Sequence, residues 1–238
     1  MTAEREQSGR TRPTRGRAAG GPGGGPAGGR DPGRRALLIG GGLGLLTGVG
    51  LLADKLDELW TPSPKPATPR EPGEVDFAGA HWVAAAAANW RFADRPRDYS
   101  VDRIVIHVTE GDYRSTVRAF QDPSHRAATH YVVRRDGQIT QLVRELDVAF
   151  HAANRTYNEH SIGIEHEGFV TDRSFPEAVY RASARLAAGI CARYDFPADR
   201  AHLVGHSEVP GADHTDPGPH WDWDHYLRLV RQAGPHRR

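Results

Sequence analysis

Apolar and polar positions follow three different rhythms along this 238-residue chain. Residues 1–35 are Gly, Pro and Arg with almost no apolar side chains, as in GGPGGGPAGGRDPGRR, and bury too little surface to offset the entropy of ordering. They are predicted to be disordered. Residues 36–53, ALLIGGGLGLLTGVGLLA, run without a charge. Residues 54–80 contain the Pro-rich stretch TPSPKPATPREPGEVDFAGA, which predicts an extended spacer. From His81 to about Ala233 the pattern becomes periodic, and a single globular domain is expected there.

Within that domain RIVIHV (103–108) is a β-branched run of the buried-strand type. THYVV and QITQLV flank Arg134-Arg135-Asp136-Gly137, where the Asp-Gly pair predicts a hairpin. SIGIEHEG (161–168) and AHLVGH (201–206) supply two more strands. Between them lies SFPEAVYRASARLAAGICARY, in which Val179, Ala182, Leu186, Ile190, Cys191 and Tyr194 recur at helical spacing. Ser174 and Glu177 suggest a capping box for this helix, with Pro176 in its first turn. Further helices are expected from Tyr113 to Phe120 and over WDWDHYLRLVRQA. The fold class is α/β, a central mixed β-sheet flanked by helices.

Composition narrows the choices. The 31 Lys plus Arg nearly cancel 30 Asp plus Glu, so no global field points to a nucleic acid partner. A lone cysteine, Cys191, excludes an internal disulfide and any Cys-rich zinc module, and its place on the apolar helix face reads as a packed thiol. Arg34 and Arg35 before the apolar run resemble a twin-arginine export signal, and six glycines in 18 positions oppose a stable helix in water. The run sits at the lower bound for a membrane span and lacks a nearby small-residue cleavage site. Arginines before it and Asp54, Asp57 and Glu58 after it orient the domain outward, as an exported protein associated with the cell wall or anchored in the membrane through residues 36–53.

The candidate chemistry is concentrated near the carboxyl end, in GHSEVPGADHTDPGPHWDWDHY (205–226), where histidines and aspartates are crowded between prolines. His107 and His206 both close apolar strand runs, where a polar side chain must find a partner or face a cleft. Asp216, fixed in direction by Pro217, lies on a loop able to return to the same point. Three such ligands with a fourth position open describe a hydrolytic zinc site. Hydrogen-bonded structural imidazoles and an Asx turn at Asp216 fit the same spacing.

The segments RIVIHVTEG, ATHYVVRRDG, FHAANRTYNEHSIGIEHEG and VGHSEVPGADHTDPGPHWDW, taken in order, resemble the successive motifs of the N-acetylmuramoyl-L-alanine amidase family, the zinc amidases related to peptidoglycan recognition proteins. The likeness covers about residues 81–230. It implies an amidase-like or recognition-protein-like fold around a groove for peptidoglycan or muropeptides, a zinc ion at His107, His206 and Asp216, and Glu165 as general base; Glu167, two residues on and on the same face of a strand, is the fallback. Some phage members use a tyrosine where this chain has Thr129. His214 stands where relatives carry a basic residue that steadies the oxyanion. His151 and Asn158 match a groove-lining block, and His130 belongs to the groove or the core.

The resemblance thus implies hydrolysis of the bond between N-acetylmuramic acid and L-alanine; the segment 34–53 adds the expectation of export, and a monomer is expected. A non-catalytic peptidoglycan-binding module and a zinc peptidase acting on stem peptides are the alternatives. Trp90, Trp221 and Trp223 are expected in the core or the groove wall. His160, His166, His220 and His225 receive no role.

Overall fold

A computed structural model describes residues 71–234. The expected tail 1–35, the apolar run 36–53 and the first part of the spacer lie outside the described residues. Among the described residues no helix is long and apolar enough to cross a membrane.

The strands are β1 (Ala80–Trp82), β2 (Trp90–Arg91), β3 (Arg103–Val108), β4 (Tyr131–Val133), β5 (Ile139–Gln141), β6 (Val148–Ala149), β7 (Ser161–His166) and β8 (Leu203–Gly205). The helices are α1 (Tyr113–Gln121), α2 (Arg155–His160), α3 (Glu177–Tyr194) and α4 (Trp223–Ala233). Six strands form one sheet in the order β1-β5-β4-β7-β3-β8, while β2 and β6 pair separately. The hairpin β4–β5 is antiparallel, as the Asp-Gly turn predicts, and β4, β7, β3 and β8 run parallel, so the sheet is mixed.

Side chains of a strand alternate between its faces, and this alternation divides β3 and β7 into a core face and a site face. Ile104, Ile106 and Val108 of β3 join Ile162 and Ile164 of β7 in the main core, against Leu186 and Ile190 of α3 and Tyr226 of α4. A fully buried aliphatic side chain of this kind contributes about 1.5–3 kcal/mol. Val105 packs on the opposite side with Ala152 and Val209. His107 follows Val105 by two positions and shares that face, as do Ser161, Gly163 and Glu165 of β7 by the same period.

Cys191 is buried in the main core, and burial pushes its thiol up to about 12. Two expectations need correction. Helix α3 starts at Glu177 with no side-chain cap, because Pro176 stays extended at ψ 143° and leaves Ser174 outside the helix. Glu177 instead pairs with Arg181 one turn on and with His225 of α4. The body of the domain also begins before His81: Ala80 pairs with Ile139, and Asp76 accepts hydrogen bonds from Arg144, Gln141 and the Glu145 N–H. A spacer running to residue 80 therefore ends too late, because its acidic residues are ion-paired to the fold.

Candidate active site

Register assembles the site. His107 lies level with Glu165 across the parallel pair β3–β7, and Ile106 lies level with Gly205 across β3–β8. One step beyond Gly205, the chain leaves β8 into a short 3-10 turn at His206–Glu208, which brings His206 beside His107. Glu165, His107 and His206 thus occupy one transverse row on the site face.

Asp216 reaches this row from the loop that follows. A Cβ at Gly205 would meet the Pro217 ring at 2.7 Å, so glycine there lets the loop lie against the strand. The Ser207 N–H donates to the Asp216 carbonyl at 2.9 Å, and the Val108 N–H faces its Oδ2 at 3.3 Å. The Nδ1 atoms of His107 and His206 are 3.1 Å apart. Asp216 Oδ2 lies 3.3 Å from the first, and Oδ1 lies 3.3 Å from the second. Nitrogen and oxygen ligands about 2.0–2.1 Å from a tetrahedral zinc ion stand about 3.3 Å from each other, so the three groups fit that ion. Among the described residues they are the one group of three or more ligating side chains so arranged.

The electrostatics suit a cation. Burial, and then the neighbouring His206, lowers His107 to about 4, which keeps its imidazole neutral and its lone pair available. Burial pushes the Asp216 carboxyl up, but its bonds to His107 and His206 outweigh that and hold it well below the usual carboxylate range. Glu165 shows the opposite balance: burial, then Asp216 and Glu110, push its carboxyl well above the ordinary range. Its Oε2 is shielded and has no hydrogen-bond partner. A buried carboxylate oxygen without a partner, beside a set of metal-binding atoms, is placed to accept a proton from a reacting molecule.

His214 stacks on His206 with ring centroids 4.1 Å apart. Its Nδ1 lies 3.7 Å from Asp216 Oδ1, and burial followed by the nearness of His206 lowers its pKa. A cleft opens over the row, walled by Phe120, Ala127, Ala128, Phe150 and Val170, with Thr129, Glu110 and His125 also on its lining. Thr129, in the place of the family's tyrosine, donates to the Tyr131 carbonyl and offers the cleft no acid.

The remaining expected residues divide otherwise. His130 is fully buried; its Nδ1 accepts the Gly163 N–H at 3.0 Å and its Nε2 lies against Arg95 and the Asp147 carbonyl, so it belongs to the core and not the groove. Asn158 accepts the His151 and Ala152 N–H groups through Oδ1, which shapes that loop and leaves the residue no reach into the cleft. His151 borders the cleft, yet Nδ1 lies 3.0 Å from His107 Nε2 and Nε2 lies 3.2 Å from Ser161 Oγ, so both nitrogens are turned to protein. Glu167 is removed as the fallback base: β7 ends at His166, and the two Glu167 oxygens accept the Tyr113 and Arg135 N–H groups at 2.9 Å. Trp90, Trp221 and Trp223 do not line the cleft, and Trp221 is a core residue.

Sequence reasoning missed two contributors. His166, on the core face of β7, lies 2.8 Å from the His107 carbonyl and 2.7 Å from Ser183 Oγ, tying the backbone of a site residue to α3. Burial lowers it to about 3, so it is a neutral partner. Glu110 adopts φ 51° and accepts the Val170 N–H at 2.6 Å, joining two loops at the cleft rim. Neither partner is near in sequence; only the odd polar residue in an apolar strand marked His166.

Comparison with known proteins gives a consistent picture. A family model described as N-acetylmuramoyl-L-alanine amidase matches residues 97–219. N-acetylmuramoyl-L-alanine amidase A of Achromobacter lyticus is 35% identical over 179 residues, which is 67% of this chain and 98% of that protein. The 1,6-anhydro-N-acetylmuramyl-L-alanine amidase AmpD of Citrobacter freundii is 36% identical over 111 residues, 44% of this chain and 58% of the relative. A crystal structure of a selenomethionine AmpD derivative superposes with a TM-score of 0.55 at 28% identity, covering 66% of this chain and 99% of that one.

Proposed function

Because the chain belongs to the N-acetylmuramoyl-L-alanine amidase family and is a peptidoglycan amidase, we propose that it hydrolyses the amide joining N-acetylmuramic acid to L-alanine with a zinc ion held by His107, His206 and Asp216. The observation that carries this reading is the convergence of those three side chains beside a carboxylate with an unpartnered buried oxygen.

When bound there, zinc supplies Lewis acidity that polarises the scissile carbonyl and makes water a better nucleophile. Glu165 takes a proton from the attacking water and delivers it to the leaving amine of L-alanine. Its buried setting raises its proton affinity, and its register with His107 sets it beside the proposed metal ligands. His214, stacked on His206, donates an N–H to the oxygen that gains charge; with its pKa lowered it does so as a neutral imidazole. The apolar cleft wall excludes competing water and receives the muropeptide.

We propose further that Arg34, Arg35 and the apolar run 36–53 act as an export signal, which would deliver this domain to the outer side of the cytoplasmic membrane. Fractionation of cells making the Arg34→Lys, Arg35→Lys double variant tests this, with loss of export expected.

The test of the activity is the chemical identity of the products. Zinc-loaded protein incubated with purified sacculi should release peptides whose new amino terminus is L-alanine. Peptides beginning at an internal stem residue would instead identify a peptidase.

A further inference from the structure

The metal reading above accounts for the Nδ1 atoms of His107 and His206 but leaves their Nε2 atoms, and here the two imidazoles differ. The Nε2 of His206 is buried and has no hydrogen-bond partner. The Nε2 of His107 lies 3.0 Å from Nδ1 of His151, whose ring stands edge-on to it with centroids 5.1 Å apart. The chain continues: His151 Nε2 lies 3.2 Å from Ser161 Oγ, and Ser161 Oγ donates to the Tyr157 carbonyl.

Proton counting fixes the direction of this chain once a metal ion takes the lone pair on His107 Nδ1. A neutral imidazole carries one N–H, so the His107 proton must then sit on Nε2, and it can only be donated. His151 Nδ1 must accept it, which leaves the His151 proton on Nε2 to be donated to Ser161. Ser161 in turn donates to a carbonyl, which can only accept. Each donor meets an acceptor and none is left over. Metal-ligating histidines are ordinarily held by a carboxylate or carbonyl on the second nitrogen. Here a second imidazole fills that place, closed by a serine.

The seat of this imidazole is built for it. A Cβ on Gly163 would meet the His151 ring at 2.7 Å, so β7 carries glycine where the ring crosses the strand. Asn158 Oδ1 accepts the His151 and Ala152 N–H groups and fixes the backbone from which the ring projects. Among the described residues, His151 Nδ1 is the one hydrogen-bond partner of His107 Nε2.

We propose that His151 is a positioning residue: seated on Gly163 and terminated by Ser161, it holds His107 in the Nε2-protonated form that directs Nδ1 at the metal. The sequence reading of His151 as a substrate contact is replaced by this role. The inference rests on the zinc assignment, and it makes His151 act on metal affinity and not on recognition of the muropeptide.

Two measurements test it. In zinc-loaded wild-type protein with nitrogen-15 histidines, the His107 Nε2 proton should show a through-hydrogen-bond coupling to a second imidazole nitrogen, lost in His151→Phe. A His107 ring protonated on Nδ1, or an Nε2 proton coupled to no other nitrogen, overturns the proposal. By chelator competition, zinc affinity should fall about 10- to 100-fold in His151→Phe and in Gly163→Ala, with His151→Gln, whose side-chain carbonyl still accepts, closer to wild type. Circular dichroism establishes that each variant is folded. If wild type takes up no zinc, the metal assignment itself fails. If wild type binds zinc and folded His151→Phe binds it equally, only the role of His151 fails.

Discussion

Nδ1 of His107 and Nδ1 of His206 face each other across 3.1 Å, although 99 residues separate them in the chain. Two imidazole Nδ1 atoms and a carboxylate turned to the same point repel one another unless a proton or a cation lies between them, and a metal ion satisfies all three at once. The folded state therefore gains stability from zinc that the unfolded chain does not bind in the same way. At about 1,000-fold excess over the dissociation constant the gain is about 4 kcal/mol. In a domain of this size that corresponds to a Tm higher by roughly 8–16 °C. Thermal unfolding with zinc and with a strong chelator measures it; coincident transitions would contradict the account.

Glu165→Gln should separate catalysis from stability. Activity should fall by about 10²- to 10⁴-fold with zinc retained. Burial raises the folded-state pKa of Glu165 above its ordinary value of 4.5, so the metal-free folded protein keeps a proton that the unfolded chain releases. Stability is then full below the unfolded value and falls as pH rises through it toward the folded one. Glutamine has no proton to lose. Metal-free Glu165→Gln should match wild type near pH 4 and be more stable at pH 7, and zinc should narrow the gap by favouring the carboxylate. A variant less stable than wild type at pH 7 would count against the assigned burial.

Glu167→Ala should do the reverse. It removes an acceptor for the Tyr113 and Arg135 N–H groups, at the start of α1 and at the hairpin turn. A loss of about 1–3 kcal/mol in chemical unfolding is expected, while kcat/KM at temperatures well below the transition stays within about threefold of wild type. A large fall in kcat with normal stability would return Glu167 to the chemistry.

The sheet was readable because its strands are short β-branched runs bounded by turn residues, and the hairpin because Asp136-Gly137 admits few alternatives. His107, His206 and Asp216 stood out because each ends or follows an apolar strand, where a polar side chain needs a purpose. Other residues could not be placed from the sequence, for a common reason. His130, Asn158 and Glu167 lie in the same motif blocks as site residues, yet their partners Arg95, His151 and Tyr113 come from packing that no local pattern encodes. Ser174 and Glu177 have the spacing of a capping box, but the extended backbone at Pro176 decides where the helix begins. The spacer was drawn too long because Glu74 and Asp76 read as solvated charges until Arg144 is placed beside them.

The most direct test is zinc content, measured by elemental analysis on the purified full chain after equilibration with zinc and removal of excess. Wild type and Glu165→Gln should each hold one zinc ion per chain, and His107→Ala, His206→Ala and Asp216→Ala should each hold almost none while remaining folded. Full zinc content in any of the three folded ligand variants, or none in wild type, would contradict the assignment.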